Sequence, residues 1–366
     1  MLWAFSQADI IYQYLEQKGG IVAMAFSRIF LSRNIGIDLG SANTLIYVKG
    51  KGIVLREPSV LALEKRTEKV LAVGESARKM IGKTPEDIII IKPVRDGAIS
   101  NFHTTKIMLQ HFFKKLFRHR SLFFPLRAVV SVSLEVTEIE KKAVMEAVKQ
   151  AGAKEVYLVE NSIAGALGAN MPIEENTANM IVDVGGGTSE VAVISLGGIV
   201  CKNSVRLGGD ELNQTIINFI KKKYNFLIGE KSAEEIKIKI GLASSLQKEY
   251  LEVMGNDLVT RMPQKINVRV PEIGRVLFEQ ISLIIKAVKT TLEQTPVALI
   301  PDIMENGIIL TGGGALLEGF PNLLAEETKM NVSLTENCLD TIALGAGKML
   351  SSMALLKRIG QDQYAR

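Results

Sequence analysis

Several features that would place this chain in a special structural class are scarce. The 366 residues include 2 Cys and 10 Pro, which excludes a disulfide scaffold, a collagen and a proline-rich disordered chain. Because Cys201 and Cys338 stand alone, no cysteine metal site is expected and a reducing cytosol is the expected compartment. A run of about 18 uncharged apolar residues is also missing from the sequence. An ordinary transmembrane helix is therefore not predicted.

The composition that remains is that of a folded protein with more than one domain. Hydrophobic residues make up 47% of the chain and glycines number 31, so a sizeable core can form. The length suits two domains, at roughly 100 to 200 residues for each. Two globular domains are therefore predicted.

Acidic residues are missing from one segment, between Asp96 and Glu135. Its six cations give it a charge of +6, whereas the whole chain carries 44 − 39 = +5, so the rest sums to −1. These cations are Lys106, Lys114, Lys115, Arg118, Arg120 and Arg127. A local basic patch predicts an acidic partner surface. Apolar spacing within the segment predicts a helix over residues 107–117 and a strand over residues 128–132.

An apolar loop interrupts this basic segment. Leu122, Phe123 and Phe124 follow one another between Arg120 and Arg127. Such a tip can enter a bilayer while the cations meet anionic head groups, so membrane insertion is predicted. The alternative is that the two Phe side chains fold back into the core. No nucleic-acid partner is predicted. Aromatic residues that stack on bases line an open groove, whereas a continuous apolar run at a loop tip suits lipid better.

The first 33 residues form a possible N-terminal extension. They lack the basic start, long apolar core and small-residue cleavage site of a secretory signal. Their second half has the apolar spacing and flanking cations of an amphipathic helix lying on a membrane. The alternatives are burial in the core or translation from Met24, and the sequence does not decide among them.

Two segments share one unusual pattern. Residues 35–48 and 180–194 each contain an apolar strand with an Asp near its end, a short turn and a second strand. The aspartates are Asp38 and Asp183; the turns contain Ser41, Ala42 and Asn43 in the first case, and Gly185, Gly186, Gly187 and Thr188 in the second. Glycines such as Gly40 and Gly185 let backbone N–H groups approach a phosphate without a side chain in the way, hydroxyls add donors, and the carboxylates can hold a hydrated Mg²⁺. One such hairpin is a weak indicator, but two at corresponding places predict a phosphate and Mg²⁺ site.

A third glycine turn follows a later apolar strand. Gly312, Gly313 and Gly314 come after residues 307–311 and precede Ala315 and Leu316, and a helix is predicted to follow the glycines. Backbone donors at a helix N-terminus suit a nucleotide. A plain strand-to-helix turn is the alternative, although it rarely needs three consecutive glycines.

In this order, the three turns resemble the actin, Hsp70 and sugar-kinase superfamily, and most closely its MreB branch. The residues that carry the resemblance are segments 38–44, 51–60, 194–200 and 310–317. It implies an α/β, actin-like fold of two domains, each an RNase H-like core with a smaller inserted subdomain, with a nucleotide cleft between them. The implied division is an extension over residues 1–33, a first domain over 34–180 closed by 345–366, and a second domain over 181–344.

The resemblance also distributes the binding roles. It implies that the two hairpins take the phosphates of ATP, with Asp38 and Asp183 beside Mg²⁺ and joined to it through water. The ribose and adenine are expected at residues 312–316, named above, and at residues 234–237. The latter are Glu234, Glu235, Ile236 and Lys237. Composition alone favours a solvated helix face for these four residues.

Glu140 and Thr188 are the predicted hydrolysis residues. Residues 136–143 resemble the family segment whose second Glu helps to position the attacking water, which is much of what phosphoryl transfer asks of a protein. Thr137 and Glu140 also have the spacing of a capping box at a helix start, and the residues alone leave the two interpretations open.

The chain departs from the family pattern near these residues. Family members usually have Pro and Gly at the positions of Ser133 and Glu135, and Glu-Pro at those of Asn161 and Ser162. Ser41 stands where Thr is usual, which keeps the hydroxyl. The other departures can move Glu140 or alter domain hinging, so the hydrolysis rate stays open.

The function that the resemblance implies is a slow ATPase that polymerises with itself into filaments. These are expected in the cytoplasm, on the inner face of the cell membrane, with membrane proteins of the cell-wall elongation machinery as partners in setting cell shape. The alternative is a small-molecule, sugar-type kinase on the same fold. That activity needs a catalytic Asp beside a polar acceptor pocket, and no Asp in the sequence stands in such a setting. Filament architecture, the partners' identity and a side-wall or division role are not decided by the sequence.

Overall fold

The computed structural model describes residues 34–117, 126–242, 249–352 and 356. Two predictions lie outside these residues, namely the amphipathic segment within residues 1–33 and the apolar loop at Leu122, Phe123 and Phe124.

The first half of the described chain is built on a five-stranded sheet. In chain order its elements are β1 (Asn34–Leu39), β2 (Asn43–Val48), β3 (Gly52–Pro58), β4 (Leu61–Glu64), β5 (Val70–Val73), α1 (Glu75–Arg78), β6 (Ile88–Ile91), β7 (Val94–Arg95), β8 (Ala98–Ile99), α2 (Phe102–Leu116), β9 (Arg127–Val132), α3 (Glu138–Ala151), β10 (Glu155–Glu160) and α4 (Asn161–Gly168). The large sheet has the order β3-β2-β1-β9-β10, antiparallel from β3 to β1 and parallel from β1 to β10. A small sheet of β5, β4 and β6 is inserted after β3.

The second half repeats this plan. Its elements are β11 (Asn179–Val184), β12 (Ser189–Ser195), β13 (Gly198–Val205), α5 (Gly209–Tyr224), β14 (Phe226–Leu227), α6 (Glu230–Ile240), β15 (Tyr250–Asp257), β16 (Pro263–Arg269), α7 (Val270–Gln294), α8 (Ile300–Asn306), β17 (Ile308–Thr311), α9 (Phe320–Thr328), β18 (Val332–Leu334) and α10 (Thr341–Met349). The large sheet has the order β13-β12-β11-β17-β18, antiparallel up to β11 and parallel beyond it. The insertion here is the small sheet β14-β15-β16.

The repeat confirms the predicted strand–turn–strand pattern in both halves. Hairpin β1–β2 and hairpin β11–β12 occupy the same position in their sheets, beside the first parallel strand. Every residue of β11 and β12 is buried, because layers of helix and neighbouring strands cover both faces. The apolar runs that signalled these strands in the sequence are therefore core strands.

Two helices close the space between the sheets. Helices α4 and α10 cross so tightly that a Cβ on Gly168 would overlap the Thr341 carbonyl, and one on Gly345 would overlap the Ala164 carbonyl. Around them, one apolar cluster combines side chains of both halves, including Val129 and Ile181. Only glycine allows so close an approach.

The predicted division of the chain at residues 180 and 181 stays a prediction.

Part of the basic segment is neutralised within the molecule. The predicted helix and strand are confirmed as α2 and β9. Lys115 pairs with Glu57, and the Arg127 Nε lies 2.6 Å from Glu155 Oε2. Fewer of the six cations are therefore available to an outside partner than the sequence indicates.

In the portion of the chain that the structure covers, no helix has both the length and the apolar character to cross a bilayer.

Candidate nucleotide-binding site

The first hairpin turn is closed by a backbone hydrogen bond and supported by Ser59, the residue that follows β3. The Gly40 N–H donates to the Asn43 carbonyl over 3.1 Å, and the Ser59 hydroxyl donates to the Gly40 carbonyl over 2.6 Å. Ser41 is buried, and its Oγ accepts a hydrogen bond from the Gly97 N–H at 3.2 Å. Ala42 and Asn43 remain exposed. The turn is therefore rigid and offers its tip for contact.

The second hairpin turn is fixed by the start of α5. The Gly185 N–H donates to the Thr188 carbonyl over 2.9 Å, which closes the turn. From α5, the Gly209 N–H donates to the Gly185 carbonyl at 3.0 Å and the Asp210 N–H to the Gly186 carbonyl at 2.8 Å. The carbonyl oxygens of Gly185 and Gly186 are thus occupied by hydrogen bonds from α5.

The structure brings the two turns into direct contact. A Cβ on Gly186 would lie 2.7 Å from the Ala42 Cβ, and one on Gly187 would lie 3.0 Å from the Ser41 Oγ and 2.9 Å from the Asp96 nitrogen. Real Cβ atoms do not approach so closely without displacement. Glycine is therefore required for the two hairpins to meet, and the pairing predicted from the sequence is present in the fold.

Asp38 and Asp183 lie on β1 and β11, close to the two turns. Burial raises the pKa of Asp38 to about 7; a hydrogen bond from Ser131 opposes this shift and the charge of Asp340 adds to it. Burial, with the charges of Glu190 and Asp38, also raises the pKa of Asp183 well above its ordinary value. Among the described residues, the buried Asp183 Oδ1 has no hydrogen-bond partner. Each carboxylate ionises at a cost in this site.

These two side chains fit a hydrated Mg²⁺. Carboxylate oxygens are its preferred protein ligands, and Mg²⁺ is commonly held by one or two carboxylates together with substrate phosphates. A nearby cation would favour the ionised form of both aspartates. The site therefore suits a cation shared with a phosphate.

The third glycine turn lies directly against Asp183. Gly312 has φ +85, and a Cβ there would lie 2.5 Å from the Asp183 Oδ1. A helix was predicted to follow the glycines. The structure has a 3-10 turn over Gly313–Leu316, and the next α-helix, α9, begins only at Phe320. Leu317 is extended, at φ −62 and ψ 120, and this conformation ends the turn before an α-helix can form.

The four residues 234–237 of α6 have different surroundings. Glu234 Oε2 accepts from Asn213 over 2.6 Å and from Lys237 Nζ over 2.8 Å. The same Lys237 Nζ donates to the Gly209 carbonyl at 3.0 Å, so α6 is joined to the α5 start that supports the second turn. The Ile236 side chain lies in the core, and Glu235 is exposed beside Lys231.

Glu140 forms the capping box that was the alternative to a catalytic role. Its Oε2 accepts from both the backbone N–H and the hydroxyl of Thr137, each at 2.8 Å. In return, the Glu140 N–H donates to the Thr137 Oγ1 at 3.3 Å. The Thr137 hydrogen bonds lower the pKa of Glu140. The carboxylate is thus ionised and oriented, while its part in hydrolysis stays a prediction.

Glu190 lies near the second turn but was not among the site residues predicted from the sequence. Its Oε1 accepts from the Leu134 N–H and from Asn161 Nδ2, each at 3.3 Å, and burial raises its pKa to about 7. A signal was available, because Glu190 stands two residues after Thr188 and belongs to the second hairpin. Glu135, which stands where family members usually have Gly, places its carboxylate 3.6 Å from Arg206 Nε.

Lys92 was also missed, and no local pattern points to it. Its ammonium group lies 3.2 Å from Asp210 and 2.6 Å from Glu230, 118 and 138 residues further along the chain. This ion-paired group joins the first half of the molecule to the second, beside the start of α5.

Comparison with known proteins agrees with this geometry. The family model described as MreB/Mbl protein matches residues 32–358. The chain is 47% identical to the cell shape-determining protein Mbl of Bacillus subtilis (strain 168), over 89% of this chain and 98% of that protein. It is 45% identical to the cell shape-determining protein MreB of Escherichia coli (strain K12), over 88% of this chain and 94% of that protein.

A solved structure confirms the fold. The crystal structure of MreB5 of Spiroplasma citri bound to AMPPNP matches with a TM-score of 0.83 and 32% identity, covering 90% of this chain and 98% of the other. The predicted actin-like, two-domain α/β fold is confirmed by this match, and so is the resemblance stated from the sequence. By the family model and by its identity to these relatives, this chain belongs to the MreB/Mbl family.

Proposed function

We propose that this protein is an ATP-binding, ATP-hydrolysing actin-like subunit that polymerises into filaments on the inner face of the cytoplasmic membrane. There the filaments would organise cell-wall synthesis and cell shape. The observation that carries the proposal is the contact between the Ser41–Ala42 and Gly186–Gly187 turns, with Asp38 and Asp183 beside them.

The nucleotide site is supported by its donors and by a relative. The hairpins would place the backbone N–H groups of Ala42, Asn43, Gly186 and Gly187 around the phosphates. The S. citri relative was crystallised with AMPPNP. When bound, Mg²⁺ would neutralise phosphate charge. Glu234 and Lys237 on one side and residues 312–316 on the other are proposed to hold the ribose and adenine.

A role in cell shape is supported by the B. subtilis and E. coli relatives, each described as cell shape-determining. Self-assembly into filaments and partners in the cell-wall elongation machinery are proposed on family membership. Membrane contact is proposed through Leu122, Phe123 and Phe124 and through residues 1–33, with the protein otherwise in the cytoplasm.

Negative-stain microscopy of the full chain with Mg-ATP and anionic liposomes tests this function. The proposal predicts filaments lying on the vesicles, and their loss in an Asp183→Ala variant. A variant with Leu122, Phe123 and Phe124 changed to Ser should still bind ATP but no longer sediment with liposomes. Dispersed monomers that bind ATP would contradict the filament proposal and favour a kinase.

Glu140 and Thr188 are proposed to support a slow hydrolysis. Because Gln keeps the acceptor of the capping box, Glu140→Gln separates the two roles of this residue. A catalytic role predicts a fall in phosphate release of about 100-fold with unchanged ATP affinity. Turnover equal to that of the parent chain would leave Glu140 with the helix cap alone.

A further inference from the structure

One buried carboxylate connects the two halves of the molecule at the phosphate turns. Glu190 lies on β12 and is 1% exposed. Its Oε1 accepts hydrogen bonds from Leu134 and Asn161, each at 3.3 Å. Leu134 lies in the segment between β9 and α3, and Asn161 begins α4. A single side chain of the second half therefore binds two segments of the first half.

The bound loop lies beside Thr188. Thr188 immediately precedes β12, where Ser189 and Glu190 point to opposite faces of the strand and Ser189 donates to the Leu207 carbonyl at 2.6 Å. A Cβ on Gly97 would lie 2.6 Å from the Ser133 Cβ and 3.5 Å from the Thr188 Cγ2. Gly97 is thus enclosed between Ser133 and Thr188. The Leu134 N–H that Glu190 holds belongs to the residue next to Ser133.

Stability does not explain a carboxylate here. Its second oxygen, Oε2, is buried and has no hydrogen-bond partner among the residues that the structure describes. Burying an incompletely paired carboxylate costs free energy, and an apolar side chain would fill the same space without that cost. The hydrogen bonds from Leu134 and Asn161 both hold segments on the opposite side of the cleft, and the nearby Ser133 hydroxyl, which opposes the rise that burial causes in the pKa of Glu190, lies on that side as well. The contacts are those of a residue that positions its neighbours.

We propose that Glu190 is a positioning residue for ATP hydrolysis: it holds the loop at residues 133–134 against Thr188 when the two halves are closed. The inference rests on the proposed ATPase function. It gives Glu190 no contact with the nucleotide, so the residue acts on turnover rather than on binding. A displacement of about 1 Å in such a loop can slow a reaction by about 100-fold.

Single-turnover phosphate release and ATP affinity of the full chain, measured with Mg-ATP, test the proposal. Glu190→Ala should slow phosphate release by about 100-fold, with the ATP Kd changed by less than about threefold. Glu190→Gln keeps an acceptor oxygen for both donors and should restore the rate to within about threefold. Ser189→Ala is the matched control, because it removes a buried hydrogen bond from the same strand without touching the first half.

Asn161→Ala covers the case in which Glu190→Ala fails to fold. It removes one of the two donors and should slow phosphate release by about tenfold. Normal turnover in either folded alanine variant, with an active parent chain, overturns the inference and leaves the proposed function standing. A parent chain that binds ATP and never hydrolyses it overturns both. Equal losses in Glu190→Gln and Glu190→Ala would also overturn the positioning role.

Discussion

The buried carboxyl group of Asp38 should make the nucleotide-free protein less stable as the pH rises. Its pKa is raised from 3.8 to about 7. Between these values the unfolded chain is ionised while the folded chain keeps its proton, so stability falls with rising pH and the loss is complete above about pH 7. At about 1.36 kcal/mol for each pH unit, the interval between these two pKa values of Asp38 corresponds to roughly 4 kcal/mol of unfolding free energy.

Asp38→Asn removes this cost and keeps an oxygen for the Ser131 hydroxyl. In urea denaturation with EDTA and no nucleotide, the variant should exceed the parent chain in unfolding free energy by up to about 4 kcal/mol at pH 8, and by little near pH 4. Glu86→Gln is the control, because Glu86 is exposed and should show no such difference. A gap between Asp38→Asn and the parent chain that does not change with pH would refute the reasoning.

Three further perturbations test the contacts between the halves. Gly187→Ala places a methyl group against the first turn and should weaken ATP binding by about tenfold or more. The control Gly229→Ala places its methyl group in open space and should bind ATP normally. Titration with a fluorescent ATP analogue distinguishes the two variants, and equal affinities would count against the contact. Gly345→Ala overlaps the Ala164 carbonyl and should lower the unfolding free energy by about 3 kcal/mol, so an unchanged urea midpoint would contradict the close helix crossing. Lys92→Met removes the ion pairs across the cleft and should speed nucleotide release about fivefold in stopped flow, while an unchanged rate would show that these pairs do not hold the cleft closed.

The local part of the fold was predictable because each signal lies within a few residues. The hairpins at Asp38 and Asp183 follow from an apolar strand, a small-residue turn and a second strand, and the structure has both. After the third glycine turn a helix was expected, and a 3-10 turn over Gly313–Leu316 comes first, with the α-helix delayed to Phe320. That outcome depends on backbone angles that residue composition does not specify.

The contacts across the cleft were not predictable in the same way. Lys92 meets Asp210 and Glu230 only after the two sheets are placed side by side. Glu190 stood inside a recognised motif, yet its partner Leu134 contributes a backbone N–H, which has no sequence signature. The capping box at Glu140 was recognised from spacing, because both partners lie in one helical turn. Long-range pairing therefore marks the limit of what this sequence predicts.

The most direct test of the proposed site is the affinity for ATP with and without Mg²⁺, measured by calorimetry on the parent chain and on Asp183→Asn. The proposed site predicts that Mg²⁺ tightens ATP binding to the parent chain by about tenfold or more and has little effect on the variant. The same dependence on Mg²⁺ in both proteins would contradict the placement of the cation and the phosphates between the two hairpins.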